Sequence, residues 1–331
     1  MFTNSIILVT GGSGSWGQEL VKELLLHNPQ RIIIFSRNEA SQVKMNREIN
    51  DPRLIFSIGD VRDLNALTKA CEGVNYIFHL AALKHVPVCE EQPLEAWKTN
   101  VIGTQNVIEA AIANRVKKVI NISTDKAADP VNFYGMTKAI GEKLIVYANL
   151  QNEETKFINV RGGNILGSNG SVLNIFIEQL KEKRKIGITD KKMIRFFMTP
   201  KSATELLLTA AKEGKGGETF ILMMSQWKIL DLAEVLIETY GTADTEIVET
   251  GIRPGEKLDE VFLSSIERDN SVVLNNQYLV VLPSTNIPTL KQAYASCPSV
   301  KMESYFSKNL LKSKAEIKQI LTDEGFLSQK F

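Results

Sequence analysis

The sequence predicts an α/β protein that is built on a doubly wound parallel sheet and carries a smaller C-terminal lobe. Three observations support this fold class. Short apolar runs alternate with helical patterns over the first 165 residues, a glycine-rich loop follows the first run, and the alternation stops beyond that point. Apolar strands that alternate with amphipathic helices are typical of a parallel sheet that helices cover on both faces.

The apolar runs of the first half predict six strands, at 6–10, 31–36, 54–58, 74–80, 116–123 and 156–160. Helical spacing predicts helices among them at 16–27, 39–49, 94–113 and 133–148. Beyond residue 165, predicted helices at 172–184, 200–212 and 229–240 mix with short strands near 219–223, 246–249 and 277–281. We therefore divide the chain into two parts, residues 1–165 and residues 166–331.

Composition excludes several classes of protein. The 331 residues are 44% hydrophobic and carry 39 Lys and Arg against 38 Asp and Glu, a net charge of +1. This much apolar material excludes disorder of most of the chain, and the balanced charge argues against nucleic-acid binding. Three cysteines without a CxxC or Cys/His cluster predict neither a disulfide framework nor a metal site. No signal or membrane-spanning pattern is present, so we expect a cytoplasmic protein without a membrane partner.

The glycine-rich loop predicts a dinucleotide site. Its sequence, TGGSGSWG at 10–17, joins the first strand to the first helix and fits both GxGxxG and GxxGxxG. Small residues allow a tight turn, a close approach of the backbone to a pyrophosphate and close packing of helix on strand. The strand–loop–helix context favours this over a glycine turn that serves packing alone. We expect a Rossmann-like fold with cofactor contacts from Gly11, Ser13, Gly14, Ser15, Trp16 and Gly17.

The end of the second strand indicates which cofactor is bound. Residues at this point read the 2′ position of the cofactor, and an acidic residue there would favour NAD. The chain has Ser36 and Arg37 instead, which can hold a 2′-phosphate, so the sequence favours NADP over NAD. After the third strand, Asp60 is expected either to meet the adenine or to form a turn or helix cap.

The segment after the fifth strand carries the candidate catalytic residues. Tyr134 and Lys138 are one helical turn apart and share one face of the predicted helix. We expect the lysine to lower the pKa of the phenol, so that the tyrosine accepts a hydroxyl proton during hydride transfer. Thr124 ends the strand, followed by a candidate acid, Asp125, and a candidate base, Lys126. The alternative for this pair is a turn-forming aspartate beside a solvated lysine.

An ordered set of motifs gives the chain a family resemblance. After the glycine loop come SRNE, GDVRD, HLAALKHVP, TNVIGTQNVIEA, STDKAADPVNFYGMTK, GSNGSV, ITD–MIRFF and GIRPGEKLDE. From residue 4 to about residue 265 the chain resembles the extended short-chain dehydrogenase/reductase superfamily. Within it, the chain resembles the UDP-N-acetylglucosamine 4,6-dehydratases of the inverting type, which begin pseudaminic acid and related sugar pathways.

The resemblance implies a cycle in which a tightly bound cofactor is reduced and then reoxidised. Tyr134, supported by Lys138, would take the proton of the C4 hydroxyl as the sugar is oxidised there. Lys126 would remove the C5 proton, and Asp125 would protonate the departing C6 hydroxyl. Hydride then returns to C6, and reprotonation from the opposite face inverts C5. The resemblance also implies a homo-oligomer, between a dimer and a hexamer.

Motif positions imply the remaining ligand contacts. Residues 1–165 would bind NAD(P), with further contacts from Val61, Ala81, Ala82, Lys84, Asn100 and Ser123. Residues 166–331 would mainly bind a UDP-N-acetyl sugar. Substrate contacts are implied for Lys84, Asn164, Ser171, Val172, Thr189, Arg195, Arg253 and Glu256. For Arg253 the alternative is a surface arginine in a turn set by Pro254 and Gly255.

Departures from the family pattern leave the reaction open. Gly162 replaces the ring of an Arg-aromatic-Gly-Asn pattern, which would open the sugar pocket. One alternative is a sister enzyme that oxidises C4, reduces C5–C6 and epimerises C5 of the 5,6-unsaturated intermediate. A 4-epimerase or 4-reductase would use Tyr134 and Lys138 but would have no use for Asp125 and Lys126. A non-enzymatic NADP-sensing module would typically lack the tyrosine and lysine.

Overall fold

The computed structural model of the protein describes residues 1–252, 255–300 and 310–328. The chain forms two units. The first consists of Met1–Gly162, Ala203–Leu222 and Val261–Val300, and the second of Gly163–Ser202, Met223–Glu260 and the described part of Lys301–Phe331. Residues 203–222 and 261–300 thus belong to the first unit, although they lie beyond residue 165. The binding role of each part of the chain remains a prediction.

The strands lie close to the positions that the apolar runs predict. In chain order they are β1 (Ile6–Thr10), β2 (Arg31–Ser36), β3 (Leu54–Ile58), β4 (Tyr76–His79), β5 (Lys118–Thr124), β6 (Lys156–Gly162), β7 (Asn164–Ile165), β8 (Lys185–Ile188), β9 (Ile194–Met198), β10 (Thr219–Leu222), β11 (Ser225–Lys228), β12 (Glu246–Glu249), β13 (Ser271–Leu274) and β14 (Tyr278–Val281). The two-residue β7 and the strands β8, β9, β11 and β13 were not predicted from the sequence.

The helices fill most of the intervals between strands. They are α1 (Ser15–Leu26), α2 (Glu39–Ile49), α3 (Leu64–Ala70), α4 (Val86–Glu91), α5 (Pro93–Trp97), α6 (Gly103–Ala113), α7 (Phe133–Gln151), α8 (Val172–Lys183), α9 (Pro200–Glu213), α10 (Ile229–Tyr240), α11 (Ser265–Arg268), α12 (Pro288–Ala293) and α13 (Lys314–Asp323). In the described ranges, none of them is long and apolar enough to cross a membrane.

The single helix predicted at 94–113 is interrupted. A π-helical turn, Lys98–Ile102, separates α5 from α6, and a 3₁₀ turn, Asp125–Ala127, follows β5. The π turn places an extra residue in the helix at a point where Thr99, Asn100 and Val101 are all buried. Such turns are frequent at functional sites, and periodicity alone gave no sign of this one.

Nine of the described strands form one sheet in the order β13-β14-β10-β6-β5-β4-β1-β2-β3. Neighbours from β10 to β3 are parallel, whereas β14 is antiparallel to both β10 and β13. The predicted doubly wound sheet is confirmed, with an antiparallel edge added by β13 and β14. The strand order reverses at β1, so the carboxyl ends of β1 and β4 flank the crevice where such sheets bind ligands.

The core of the first unit lies between the sheet and its helices. Its central strands carry fully buried apolar side chains, including Leu8, Ile77 and Val119, against Val107 of α6 and Ile145 of α7. Burying one such side chain is worth about 1.5–3 kcal/mol. This packing holds the ends of β1, β4 and β5 at one edge of the sheet, so the residues that follow those strands meet there.

The second unit has its own core. A sheet in the order β11-β9-β7 and a β8–β12 pair carry α8, α10 and α13. Trp227, Phe176 and Leu232 are fully or almost fully buried there, together with Ile317 and Leu321 from α13. The described C-terminal residues thus supply β13 and β14 of the first unit and a core helix of the second.

A buried arginine holds three elements of the first unit together. Arg161 of β6 pairs with Glu142 of α7 through Nε–Oε1 at 2.8 Å and NH2–Oε2 at 2.7 Å. It also bonds Glu267 of α11, at 2.7 and 2.9 Å, and the Phe262 carbonyl, at 2.8 Å. Removing one partner of a buried network leaves uncompensated charge, which costs more than the pair itself is worth.

Arg161→Leu is expected to lower the free energy of unfolding by about 3–5 kcal/mol, because it leaves two carboxylates without their partner. Lys22→Leu is the control, since it breaks an exposed pair with Glu19 and should cost less than about 1 kcal/mol. Urea denaturation of both variants and the parent measures the difference. Equal losses in the two variants would contradict the role given to the buried network.

Candidate active site

The loop between β1 and α1 is closely packed at its glycines. Gly11 has a φ of +69°, and a Cβ there would lie 2.8 Å from the backbone nitrogen of Ala81. A Cβ at Gly17 would lie 2.6 Å from the Cα of Gly12. At Gly14 a Cβ would meet only the Gly11 carbonyl oxygen, at 3.2 Å, among the described residues. The loop is therefore tight on its inner side and open at Gly14, as an anion at the start of α1 requires.

Polar side chains fix the end of β2 beside this loop. Ser13 Oγ and Ser36 Oγ lie 2.9 Å apart. Gln42 Nε2 donates to the Ser36 carbonyl at 3.0 Å and to Ser57 O at 2.9 Å. The structure thus brings together the predicted Ser13 and Ser36. The sequence analysis missed Gln42. Its only signal is that it lies on the buried face of the predicted helix at 39–49, where a polar amide needs hydrogen-bond partners.

Asp60 forms a turn after β3. Its Oδ1 accepts from the N–H of Arg62 at 3.0 Å, and its Oδ2 accepts from Arg62 Nε at 2.8 Å. Burial opposes ionisation, but the hydrogen bonds from Arg62 prevail and lower the pKa of Asp60. Arg37, about half exposed, lies 3.8 Å from the same carboxylate. The neighbouring Val61 is buried, and its carbonyl accepts from Asn106 Nδ2 at 2.9 Å.

A chain of hydrogen bonds joins β1, β4 and α6 through His79. Thr104 Oγ1 donates to Asn100 O at 2.7 Å, so it accepts from His79 Nε2 at 3.2 Å. His79 Nδ1 then accepts from Thr10 Oγ1 at 2.7 Å, and Thr10 Oγ1 accepts from the N–H of Ala81. Burial, and then the charge of a nearby lysine, lower the pKa of His79 to about 3. The ring is neutral and in one tautomer, so it serves as a structural link.

Asn100, in the π-helical turn, holds the loop that follows β4. Its Oδ1 accepts from the N–H of Leu83, and its Nδ2 donates to the Leu83 carbonyl, both at 2.9 Å. Nδ2 also donates at 3.0 Å to Thr137 Oγ1, which donates to Tyr134 O at 2.7 Å. One amide therefore ties residues 81–84, where the sequence predicts cofactor contacts, to the first turns of α7.

The end of β5 carries an acid–base pair. Lys126 Nζ lies 3.0 Å from Asp125 Oδ2, and Thr124 Oγ1 donates to Asp125 Oδ1 at 2.8 Å. The Asp125 side chain is 3% exposed, whereas that of Lys126 is 31% exposed. A Cβ at Gly135 would clash with the Lys126 carbonyl oxygen, so glycine allows this turn to lie against α7. The acid of the pair is buried, and its lysine end is accessible.

The start of α7 sets the position of Tyr134. Asn132 is the N-cap, and its side chain accepts from the N–H of Gly135 at 2.8 Å. Capping at this residue begins the helix at Phe133, so Tyr134 falls in the first turn beside the 3₁₀ turn and Lys138 falls one turn later. Both side chains are buried, as the shared face predicts.

The pKa values of this pair differ from the sequence expectation. Burial raises the pKa of Tyr134 to about 12, and the charge of Lys126 is the largest effect that opposes it. The sequence expectation assigns the lowering charge to Lys138, whereas Lys126 is the largest lowering charge in this structure. The role of Lys138 stays a prediction. Burial lowers the pKa of Lys138 itself to about 8, against the effect of Glu142.

The second unit holds most of the predicted substrate residues. Arg195 of β9 and Thr189 both contact Glu256. Arg195 NH2 lies 3.7 Å from Glu256 Oε1, and Thr189 Oγ1 donates to Oε2 at 3.4 Å. Ser171 is the N-cap of α8, which begins at Val172. Asn164 lies in β7, and the predicted Arg253 lies outside the described residues.

In the described ranges, several buried polar atoms have no hydrogen-bond partner, and three of them lie on residues with predicted ligand contacts. Among the described residues these include Trp16 Nε1, Ser123 Oγ and Ser171 Oγ, and all three residues were predicted to contact cofactor or substrate. Leaving such a group unpaired costs about 1–3 kcal/mol, so a ligand that supplies the partner is favoured. Burial also lowers the pKa of Lys84. With the glycine cradle, Trp16, Ser123 and Lys84 of the first unit fit a nicotinamide dinucleotide.

Comparison with known families identifies the chain at this point. Residues 7–282 match the model of a family described as polysaccharide biosynthesis protein. The chain belongs to this family. Its sheet, glycine loop and Tyr-Lys pair are those of an extended short-chain dehydrogenase/reductase, so this part of the sequence prediction is confirmed.

Three relatives of this short-chain dehydrogenase/reductase bear on its activity. A UDP-N-acetylglucosamine 4,6-dehydratase (inverting) of Campylobacter jejuni is 42% identical over 85% of this chain and 84% of its own. A UDP-glucose 4-epimerase of Rickettsia rickettsii is 37% identical over 99% of this chain and 98% of its own. The chain in the X-ray structure of Pen from Bacillus thuringiensis is 38% identical in sequence. It superposes with a TM-score of 0.92, and the match covers 98% of this chain and 99% of that one. The chain is an enzyme of the nucleotide-sugar dehydratase and epimerase group that uses a nicotinamide cofactor.

The buried Lys138 makes stability depend on pH. Its pKa is about 8 in the fold against 10.5 for an unperturbed lysine, so between these values the unfolded chain binds more protons. Stability then rises with pH through this interval. Relative to Lys138→Met, the parent should gain about 2–3 kcal/mol in the free energy of unfolding between pH 7 and about pH 10.5.

Urea denaturation of parent and variant at a series of pH values measures this gain. Lys143→Met is the matched control, since Lys143 lies on the same helix but is exposed, and its difference from the parent should stay constant with pH. A constant difference for Lys138→Met as well would show that the lysine is not desolvated in the fold.

Proposed function

We propose that the enzyme is a UDP-N-acetylglucosamine 4,6-dehydratase and 5-epimerase that inverts C5 and supplies a pseudaminic-acid-type pathway. The observation that carries the proposal is the Asp125–Lys126 contact of 3.0 Å at the end of β5, beside Tyr134. Oxidation and reduction at C4 alone need only a tyrosine and a lysine. Removal of water across C5 and C6 needs a further base and a further acid, and this pair supplies both.

The first half of the proposed reaction takes place at Tyr134. Its phenolate takes the proton of the C4 hydroxyl, so a charge that lowers its pKa favours the step. Lys126 lowers that pKa in the structure. Lys138, buried one turn away, orients the cofactor ribose in this proposal. A nicotinamide bound here would accept the hydride from C4 and later return it to C6.

The second half depends on where one proton lies in the Asp125–Lys126 pair. Elimination requires neutral Lys126, which takes the C5 proton, and protonated Asp125, which gives its proton to the departing C6 hydroxyl. This state differs from the ion pair only by transfer of one proton across the 3.0 Å contact. After elimination the pair is the ion pair again, so each turnover passes between the two states.

The proposal includes NADP as the favoured cofactor. Ser36 is held by Ser13 and Gln42 at the end of β2, and the exposed Arg37 lies next to it. Asp60 accepts two hydrogen bonds from Arg62, so part of its charge is already compensated. These features support a 2′-phosphate at this position. We also place the enzyme in the cytoplasm.

Two alternatives each have an observation in their favour. Gly162 pairs with Thr124 in the β5–β6 ladder, so the absent ring would have lain beside the acid–base pair. The space suits an enzyme that accepts the flatter 5,6-unsaturated sugar and needs to expel no water. A 4-epimerase is favoured by the full-length similarity to the Rickettsia protein, but it leaves Asp125 and Lys126 unexplained.

The reaction is tested by incubating the protein with UDP-N-acetylglucosamine in D₂O, without added cofactor, and following mass and proton NMR. We expect loss of water, deuterium at C5 and inverted C5. Asp125→Asn and Lys126→Met should each slow elimination by about 10²-fold or more. Both variants should still oxidise C4, because Tyr134 remains, but Lys126→Met should do so more slowly, since it loses the charge that lowers the tyrosine pKa. Lys143→Ala, on the exposed face of α7, is the control and should retain the parent rate.

Other outcomes of this experiment would favour the alternatives. Conversion of the parent protein to the 4-epimer, with no loss of water, would identify an epimerase. Turnover of the 5,6-unsaturated sugar with none of UDP-N-acetylglucosamine would identify the sister enzyme. Full dehydratase activity in Asp125→Asn and Lys126→Met together would refute the roles given to the pair.

We further propose that the enzyme is a homo-oligomer. Large apolar side chains lie exposed at helical spacing along α7, namely Met136, Ile140, Tyr147 and Leu150. An apolar stripe of this kind marks an interaction surface. In sedimentation, the parent should exceed the 36.9 kDa of one chain, and Ile140→Lys with Tyr147→Lys should shift it towards that mass. A parent protein that sediments as a monomer would contradict the proposal.

A further inference from the structure

The guanidinium of Arg195 is enclosed by protein acceptors. NH1 donates to the carbonyls of Ile194 and Leu258, at 2.9 and 2.7 Å, and NH2 donates to Lys257 O at 2.7 Å. Nε lies 3.1 Å from Glu260 Oε1, and NH2 lies 3.7 Å from the Glu256 carboxylate. Three of these contacts are hydrogen bonds to backbone carbonyls, and the other two bring carboxylates within ion-pair distance of the guanidinium. A diphosphate at this guanidinium would have to compete with these protein partners.

Most of these partners belong to one short segment, residues 256–260. Arg195 contacts two successive carbonyls and two carboxylates of this segment. The segment follows β12 and has no regular secondary structure, so its backbone needs partners outside any helix or sheet. A residue with five fixed donors is suited to hold such a segment in one shape.

Glu260 completes the arrangement from the other side. Its Oε1 faces Arg195, and its Oε2 accepts from Asn164 Nδ2 at 2.9 Å and from the Phe196 N–H at 3.4 Å. The residue is 8% exposed. One buried carboxylate thus links β7, β9 and the 256–260 segment, and its charge is balanced by that of Arg195.

The same carboxylate fixes the orientation of Asn164. Asn164 Nδ2 donates to Phe196 O at 3.0 Å and to Glu260 Oε2 at 2.9 Å. Both partners are oxygens that can only accept hydrogen bonds. The amide atom that faces them must therefore be the nitrogen and not the oxygen. Asn164 therefore presents its Oδ1 away from Glu260.

We propose that Glu260 is a positioning residue of the substrate site, and that Arg195 acts through the 256–260 segment and is not a ligand of the substrate diphosphate. Glu260 was not among the residues that the sequence identified. The identity of the substrate rests on the proposed function. The clamp, by which we mean the contacts of Arg195 and Glu260 that hold residues 256–260 in place, does not.

The test compares Glu260→Gln, Arg195→Lys and the double variant, with Asp259→Asn as control. Asp259 is exposed and adjacent, so its variant removes the same charge without touching Arg195. Hydrogen exchange of amides 255–263 and calorimetric titration with UDP are measured on the whole protein. Each single variant should speed exchange at least tenfold and weaken UDP binding about five- to tenfold. Because both act on one clamp, the double variant should show less than the product of the single effects.

The opposite pattern would overturn the proposal. If Arg195→Lys weakens UDP binding while Glu260→Gln alters neither exchange nor binding, Arg195 is a direct ligand. Unchanged exchange in both variants would exclude the clamp. If the parent protein does not bind UDP, the proposed function fails and the exchange data still decide the clamp. Should Glu260→Gln unfold, Glu260→Asp, which retains the charge, replaces it and should show a smaller effect of the same kind.

Discussion

The pairing of Asn100 with the backbone of Leu83 is the interaction on which the active end of the sheet depends. Both bonds of the pair are 2.9 Å long, and the same amide continues through Thr137 to Tyr134. A loop and a helix that are distant in sequence are thereby fixed to one side chain. Because Asn100 sits in a π-helical turn, its amide can face the loop while the helix on either side keeps its packing.

The charges of the first unit are arranged around this framework. Lys138 and Glu142 lie one turn apart on α7, yet the carboxylate is held by Arg161 through two hydrogen bonds. Glu142 is therefore committed to the arginine, and the lysine keeps a lowered pKa. At the end of β5, by contrast, the carboxylate of Asp125 contacts the neighbouring lysine, Lys126, directly. Two acid–lysine pairs on neighbouring elements thus have different electrostatic roles.

Much of this could be predicted from the sequence. The first six strands, the glycine loop and the shared face of Tyr134 and Lys138 follow from periodicity and spacing, which act over a few residues. Gln42, Glu260 and the π turn could not be predicted. Each depends on contacts between residues that are distant in the chain, such as Gln42 with Ser57 and Glu260 with Asn164. The sign of the shift at Tyr134 was missed because burial, which spacing does not report, outweighs a nearby charge.

The connectivity of the two units has a consequence for how the chain is made. Six segments alternate between the units, so the polypeptide passes from one unit to the other five times. Neither unit corresponds to a continuous stretch of the gene, and neither can be exchanged between homologues by a single crossover. The sheet receives β14 only after residue 281 has been synthesised, and the second core receives α13 later still. A nascent chain that has released its first 165 residues therefore holds an incomplete sheet, whose open edge on β6 must stay protected until β10 arrives.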